Sequence, residues 1–196
     1  SLLDDSGTPL YRSFIVPRSA VQIKDTWDVL GLEATSSCNF ILEEYYLEAC
    51  YAFDLTTGSP YTPSPLYHYP FTLFSLASMS VMCSGMALHF LEKFNERILP
   101  KRPLYWDQSL GENLKLLQLR DNLKLNLQKA RDEFTQHLER TWQESVTEKQ
   151  IKERTINRFN EAAYQLVEHS YQLVTQLYRY CGMDGLFNSS PINHLF

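Results

Sequence analysis

Two long segments in the second half of the chain repeat apolar residues at intervals of three and four, and this pattern constrains the fold more than any other feature. The first runs from the capping box Ser109–Glu112 to about Trp142, and the second runs from the capping box Thr147–Gln150 to Cys181. Gly182 is suited to end the second segment. Both are far longer than an average globular helix of about three turns. Long helices with narrow apolar stripes and short connections predict an antiparallel bundle.

A third helix precedes these two, from about Phe71 to Ile98, and Pro100 and Pro103 prevent its continuation. Its core-facing stripe is predicted to contain Phe74, Ala77, Val81, Gly85, Leu88 and Leu91. Near the other end of the chain, Ser190-Pro191 has the pattern of a helix start, with serine as N-cap and proline at the first helical position. We expect a helix to begin there and the chain to be a segment of a longer protein.

The first 53 residues have a different pattern, with strand-like runs over residues 9–16, 21–29 and 39–47. Residues 54–70 are rich in proline, threonine and serine, which excludes regular structure. We therefore predict a mainly α fold: a small antiparallel β piece over residues 1–53, a linker over residues 54–70 and a helical bundle over residues 71–196. The many aromatic residues around the linker form either a binding surface or a contact between neighbouring elements.

Composition excludes several function classes. The net charge is −5, without a basic stripe or tail, which argues against nucleic acid as a partner. Polar residues, among them His68, His89 and Glu92, interrupt the most apolar region, so we predict no membrane span. The four cysteines are scattered, which is typical of free thiols in the cytoplasm. The histidines lack the spacing of metal ligands or of a nucleophile's partner.

A glycine- and hydroxyl-rich turn joins two of the predicted strands. Gly31 supplies a bend there, and small hydroxyl groups follow it close to the large indole of Trp27. A planar polar ligand could use this combination, and an ordinary β-turn also produces it. The residues that carry the pattern through the second strand are Trp27, Gly31, Leu32, Thr35, Ser37, Glu43, Glu44 and Tyr45.

This pattern resembles the middle-domain signature of the acyl-CoA dehydrogenase superfamily, W-x-x-x-G-L-x-x-T-x-S followed by a strand that ends in an acidic pair and an aromatic residue. The resemblance is strongest for the branch of two-component flavin monooxygenases, such as dibenzothiophene monooxygenase and the oxygenase component of 4-hydroxyphenylacetate hydroxylase. It continues through MCSGMALHFLEKF (residues 82–94), LQKAR (127–131), QLYRYCG (176–182) and SSPINHLF (189–196). It covers nearly the whole chain, as the end of the β-domain plus the C-terminal bundle.

The resemblance implies a flavin-dependent oxidoreductase. In the monooxygenase branch the cofactor is reduced FMN from a partner flavin reductase, whereas in the dehydrogenases it is FAD. The resemblance also implies a cytoplasmic homo-oligomer, a dimer or tetramer, that assembles through the bundle. We expect this segment to be inactive by itself, since most of the flavin-contacting β-domain is not in it.

Five residues are candidates for flavin binding by this resemblance: Trp27, Thr35, Ser37, Arg102 and Arg179. The first three would shape the substrate side of the flavin; alternatively, Trp27 packs under a β-turn whose hydroxyls are capped. Arg102, with Lys101, would hold a phosphate of a flavin bound by a neighbouring subunit; alternatively, both lie in a solvated loop. Arg179 is alternatively a cation that interacts with a helix C-terminus.

No catalytic residue is predicted, because Glu92, Glu96 and Glu112 all fit a solvated helix face or a cap. FAD-dependent relatives carry a glycine pair where this chain has Tyr180-Cys181-Gly182, and this difference favours FMN or no flavin. Two alternatives to a monooxygenase therefore remain. One is an FAD-dependent acyl-CoA dehydrogenase, and the other is a non-enzymatic helical interaction module that has lost the flavin site.

Overall fold

The computed structural model describes residues 2–3, 7, 9–10, 12–29, 32–54 and 64–195. It divides the chain into two compact units, Ser1–Tyr61 and Thr62–Phe196. Gly31 of the predicted turn, as well as Pro60 and Pro63 of the predicted linker, lie outside the described residues.

The first unit, which we call the β unit, contains three two-stranded antiparallel ribbons among its described residues. The strands are β1 (Leu2–Leu3), β2 (Pro9–Leu10), β3 (Ser13–Phe14), β4 (Val21–Lys24), β5 (Asn39–Leu42) and β6 (Ala52–Phe53). β1 pairs with β2, β3 with β6, and β4 with β5 from Val21↔Leu42 to Lys24↔Asn39. The predicted strands contain the shorter observed strands β2 to β5, whereas β1 and β6 were not predicted, because two residues are too few to show an alternating pattern.

Apolar side chains of the β4–β5 ribbon are exposed on both faces. Ile23 and Ile41 are exposed, as are Phe40 and Leu42. None of the residues described in the β unit is buried. A ribbon of this composition would normally be covered by further structure.

The second unit, the helical unit, consists of three long helices, and it confirms the predicted fold class. They are α1 (Phe71–Lys93), α2 (Leu114–Glu148) and α3 (Glu153–Tyr178). α1 continues into a π-helical turn, Phe94–Ile98. α3 packs against both α1 and α2, and its core includes Phe90, Phe94, Leu127, Phe159, Leu166, Leu173 and Leu177.

The predicted core stripe of α1 was right for three residues and wrong for three. Leu91 is buried and Ala77 and Leu88 pack against the core, whereas Phe74, Val81 and Gly85 are exposed. The other residues of α1 that are buried are Leu73, Ser80, Ser84, Ala87 and Phe90. α1 has apolar residues around most of its circumference, so their periodicity does not identify the buried side. By length and composition alone, the segment Phe71–Ile98 could cross a membrane, a test that core helices of soluble proteins also pass.

The predicted capping box Thr147–Gln150 was also wrong, because α2 continues to Glu148 and the Thr147 hydroxyl donates to the Gln143 carbonyl at 2.8 Å. α3 instead begins at Glu153, and the buried Glu144 of α2 supports its first turn. The Glu144 carboxylate accepts hydrogen bonds from the Lys152 amide at 3.1 Å and from the Thr155 hydroxyl at 2.8 Å. A carboxylate from the preceding helix thus replaces a local cap.

The capping box at Ser109 is present, although it closes a 3-10 turn, Leu110–Glu112, and Asn113 caps α2 itself. At the other end, α3 ends at Tyr178 and not at the predicted Cys181, and Gly182, with a φ of +55°, begins the 3-10 turn Gly182–Gly185. The helix predicted from Ser190-Pro191 is a short 3-10 turn, Asn193–Leu195. Ile192, which precedes this turn, is buried in the bundle core.

Candidate functional site

Three of the five predicted site residues lie in one turn of the β unit. The carbonyl oxygen of Leu32 accepts three hydrogen bonds: from Trp27 Nε1 at 3.0 Å, from the Thr35 amide at 3.0 Å and from Thr35 Oγ1 at 2.7 Å. Ser37 Oγ lies 3.1 Å from Thr35 Oγ1. The structure therefore brings Trp27, Thr35 and Ser37 together around a single carbonyl group.

Two residues of this turn have a left-handed backbone, although neither is glycine. The φ angles are +58° at Leu32 and +48° at Ser36. Such conformations are disfavoured for a residue with a Cβ, and they persist where the surrounding contacts enforce them. The three hydrogen bonds to the Leu32 carbonyl hold the backbone of the turn in this conformation. Sequence reasoning located the turn but gave no sign of the backbone strain at these two residues.

The hydroxyl protons of Thr35 and Ser37 are already used. Thr35 has a single hydroxyl proton, which it donates to the Leu32 carbonyl, so Ser37 is the donor in the contact between the two hydroxyls. The turn then offers a ligand the face of a fixed indole ring and the free lone pairs of Ser37 Oγ. A planar group that carries N–H donors suits this combination.

The other two predicted residues, Arg102 and Arg179, belong to the helical unit and are exposed. Arg102 follows Lys101, whose ammonium group forms an ion pair with Asp184. Arg179 ends α3, five residues before Asp184. The ion pair therefore places the loop that contains Arg102 and the C-terminus of α3 at the same end of the bundle. No described contact joins the two arginines.

The loop between α1 and α2 has a feature that sequence reasoning missed. Its ends are held together by the hydrogen bond from the Leu110 amide to the Lys101 carbonyl at 2.8 Å. Between them the loop exposes Leu104, Tyr105 and Trp106, and Tyr105 is 96% exposed with a φ of +66°. Exposed aromatic residues beside a cation are typical of a binding surface. The sequence feature that could have predicted this exposed surface was the run of apolar residues Leu104 to Trp106, which lies next to two prolines.

The segment after α3 is fixed to the bundle by two contacts besides Ile192. The Tyr178 hydroxyl donates to the Gly185 carbonyl, and the Lys101–Asp184 ion pair adds a second link.

Burial raises the pKa of Cys181 to about 12, so this thiol is not a nucleophile near neutral pH. All four cysteines are unpaired. Among the described residues there is no group of three or more histidine, cysteine, aspartate or glutamate side chains that could hold a metal ion.

No protein-family model matches the chain. Several curated proteins are similar in sequence over almost all of it. An indole-3-acetate monooxygenase from Pseudomonas putida is 24% identical over 185 residues, which is 93% of this chain and 47% of that protein. A pigment production hydroxylase from a Rhodococcus strain is 25% identical, over 96% of this chain and 50% of that protein. The chain thus spans about half the length of the curated relatives it matches.

Solved structures share the fold at low sequence identity. The 3-HSA hydroxylase from Rhodococcus sp. RHA1 superposes with a TM-score of 0.75 at 16% identity, covering 97% of this chain and 51% of that one. XiaF from a Streptomyces species, solved in complex with FADH2 and glycerol, gives a TM-score of 0.68 at 16% identity, covering 98% of this chain and 51% of that one. The chain therefore has an acyl-CoA dehydrogenase-type fold, shared over nearly its whole length with a hydroxylase of known structure.

Proposed function

We propose that the chain is the C-terminal part of a flavin-dependent monooxygenase that uses reduced flavin from a partner flavin reductase. One observation carries the proposal: almost the entire chain is similar in sequence to an indole-3-acetate monooxygenase, and it has the fold of a structure that holds FADH2. Residues 1–53 are then the end of a middle β-domain, and residues 71–196 are the C-terminal helical domain. The exposed apolar residues of the β4–β5 ribbon support the first assignment.

The turn of the β unit suits a reduced flavin better than an oxidised one. When bound, the flavin supplies the reaction with dioxygen. Trp27 would support one face of the ring system, and Ser37 Oγ would accept a hydrogen bond from a ring N–H. Reduction adds N–H donors to the flavin, and the lone pairs of Ser37 Oγ can accept from them, since Ser37 donates its own proton to Thr35. The chain's own contribution is thus to orient the ring.

The basic end of the bundle suits a flavin phosphate. Arg102 and Arg179 are exposed cations, and guanidinium groups bind phosphate oxygens in pairs. We prefer FMN to FAD because the side chains of Tyr180 and Cys181 occupy the positions where FAD-dependent relatives carry glycines. The exposed Tyr180 side chain would keep an adenine nucleotide away from the backbone, whereas Cys181 is buried in the core.

We also propose that the protein is a cytoplasmic homo-oligomer that assembles through its helices. The support comes from the outer face of α1, where Phe71, Phe74, Met79, Val81, Met82 and Met86 are exposed. A helix that is apolar all round is normally buried on both sides, and a second copy of the chain would cover this face. The unpaired cysteines are compatible with a reducing compartment.

The test uses the full-length protein with a flavin reductase that supplies reduced FMN or FADH2 in separate assays. Binding is measured by calorimetry under anaerobic conditions, and turnover is measured as oxygen consumption with indole-3-acetate as a probe substrate. We expect tight binding of reduced FMN and oxygen-dependent formation of a hydroxylated product. Preferential binding of oxidised FAD with acyl-CoA oxidation would make the protein a dehydrogenase instead. Failure to bind any flavin would leave a scaffold with an assembly role.

A further inference from the structure

The β unit contains a concave site that the proposed flavin chemistry does not use. Its volume is about 370 Å³, and we call it the tyrosine pocket. It is lined by Tyr45, Tyr46, Tyr51 and Glu48, together with Leu47 and residues 15–17. A volume of this size lies within the range of small-molecule sites, roughly 300–1,000 Å³.

Backbone hydrogen bonds shape the tyrosine pocket. The pairing of β3 with β6 brings the two chain segments side by side, and the Ile15 amide continues it by donating to the Tyr51 carbonyl at 3.0 Å. The Tyr51 amide donates to the Glu48 carbonyl at 3.0 Å, which closes the 3-10 turn Ala49–Tyr51. Tyr51 and Glu48 are therefore held at the same side of the pocket, opposite residues 15–17.

The chemistry of the lining favours a cation. Glu48 forms no ion pair with any described residue, and its only described side-chain partner is the Cys50 thiol, 3.8 Å from Oε2. No lysine, arginine or histidine of the described chain lines the pocket. Three tyrosines are among the lining residues, and the face of an aromatic ring carries a negative quadrupole that attracts cations. Carboxylate and rings therefore favour positive charge in the same small volume.

Other ligand classes fit less well. A hard metal ion takes six or more oxygen ligands, or keeps several waters, and one carboxylate with phenol groups does not provide that set. An anion would be repelled by Glu48. A neutral apolar molecule would cover the carboxylate without giving it a partner, which costs free energy. An alkylated ammonium ion avoids all three problems, because its charge is spread over methyl groups that contact aromatic rings and the apolar residues 15–17.

We propose that the tyrosine pocket binds a small organic ammonium ion, with Glu48 as the counter-charge and the tyrosine rings as walls. This site does not include the turn to which the proposed function assigns the flavin. The test titrates full-length protein, labelled at its tyrosines for NMR, with choline. The matched control ligand is 3,3-dimethyl-1-butanol, which has the shape of choline without its charge. We expect choline to shift the resonances of Tyr45, Tyr46 and Tyr51 and to bind about tenfold more tightly than the neutral ligand.

Two matched variants locate the site. Glu48→Gln is expected to weaken choline binding about fivefold or more, whereas Glu44→Gln removes the same charge close by, outside the lining, and is expected to leave it unchanged. Tyr45→Leu removes one ring of the lining and is expected to weaken choline binding; since Tyr45 is 49% exposed, the fold is expected to survive. Equal binding of choline and its neutral analogue would overturn the proposal. Equal loss in the Glu48 and Glu44 variants would do so too, because it would show general attraction to an acidic surface.

Discussion

The Tyr69 hydroxyl lies 2.6 Å from Thr141 Oγ1, although 72 positions separate the two residues in the chain. Thr141 uses its own proton on the Leu138 carbonyl at 2.7 Å, so Tyr69 is the donor in this pair. The Tyr69 ring also packs on Trp142, with ring centroids 5.9 Å apart. Burial raises the pKa of Tyr69 above its ordinary value, so the hydroxyl stays protonated near neutral pH. The contact fastens the end of the proline-rich segment to α2.

Tyr69→Phe is expected to lower the free energy of unfolding by about 1 kcal/mol, since it removes one buried hydrogen bond and keeps the ring. Chemical denaturation followed by circular dichroism measures the loss. Tyr67→Phe is the matched control, because Tyr67 is exposed, and we expect a change within about 0.5 kcal/mol. A loss of the same size in both variants would contradict a specific role for the Tyr69–Thr141 pair.

Glu144→Gln is expected to lower the melting temperature by several degrees, more than Glu148→Gln does. Glu144 supports the first turn of α3 through Lys152 and Thr155, whereas Glu148 only pairs with an exposed lysine. An amide can still accept hydrogen bonds, but it lacks the charge that favours the helix N-terminus. Equal melting temperatures for the two variants would show that the charge of Glu144 is unimportant.

The same residue predicts a pH dependence. The hydrogen bond from the Lys152 amide, then that from Thr155, lowers the pKa of Glu144 below its ordinary value of 4.5. A lowered pKa in the folded state means stability that is present above pH 4.5 and lost as the pH falls through the folded-state value. Melting temperatures measured from pH 7 downwards should therefore fall less steeply below this point in Glu144→Gln than in the unaltered protein.

Gly185→Ala is expected to destabilise the protein by about 1–3 kcal/mol through overpacking. A Cβ at position 185 would lie 2.9 Å from the Tyr178 ring, whose hydroxyl bonds the Gly185 carbonyl. Gly85→Ala is the opposite case, since no atom lies within 4 Å of the added Cβ inside α1. There we expect a gain of about 0.5–1 kcal/mol from helix propensity. If denaturation shows that both substitutions change the free energy of unfolding in the same direction, the packing inferred around Gly185 and Gly85 is wrong.

Val81→Asp is expected to dissociate the proposed oligomer without unfolding the helices. Val81 is 54% exposed on the outer face of α1, and a charge there would be buried by a second copy. Light scattering measures the mass, and circular dichroism measures the helix content. Asn126→Asp, at an exposed polar position on α2, is the control for added charge away from this face. An unchanged mass in Val81→Asp would exclude this face from the interface.

Arg102→Ala is expected to weaken flavin binding by the full-length protein about tenfold, the size of one charge-assisted hydrogen bond. Arg97→Ala removes the same charge from the preceding π-helical turn and serves as the control. Calorimetry with reduced FMN measures both. If the two variants bind alike, Arg102 does not contact the phosphate. Comparison of FMN with riboflavin, which lacks the phosphate, then separates loss of this contact from general loss of the site.

The sequence by itself determined the class of fold. The stripes of α2 and α3 repeat over many turns, and a repeat of that length has few structural solutions. The turn near Trp27 could also be located, because glycine, threonine and serine beside an indole form a local pattern. In both cases the signal lies in neighbouring residues along the chain.

Only the tertiary structure decided which side of α1 is buried, where α3 begins, and how Tyr69, Lys101 and Glu144 are used. α1 is apolar around most of its surface, so its orientation depends on what packs against it. α3 begins without a cap of its own because Glu144 reaches it from another helix. The partners of Tyr69 and Lys101, which are Thr141 and Asp184, are distant in sequence. Hydrogen bonds and ion pairs between distant residues leave no periodic trace in a sequence, since each depends on how whole elements pack.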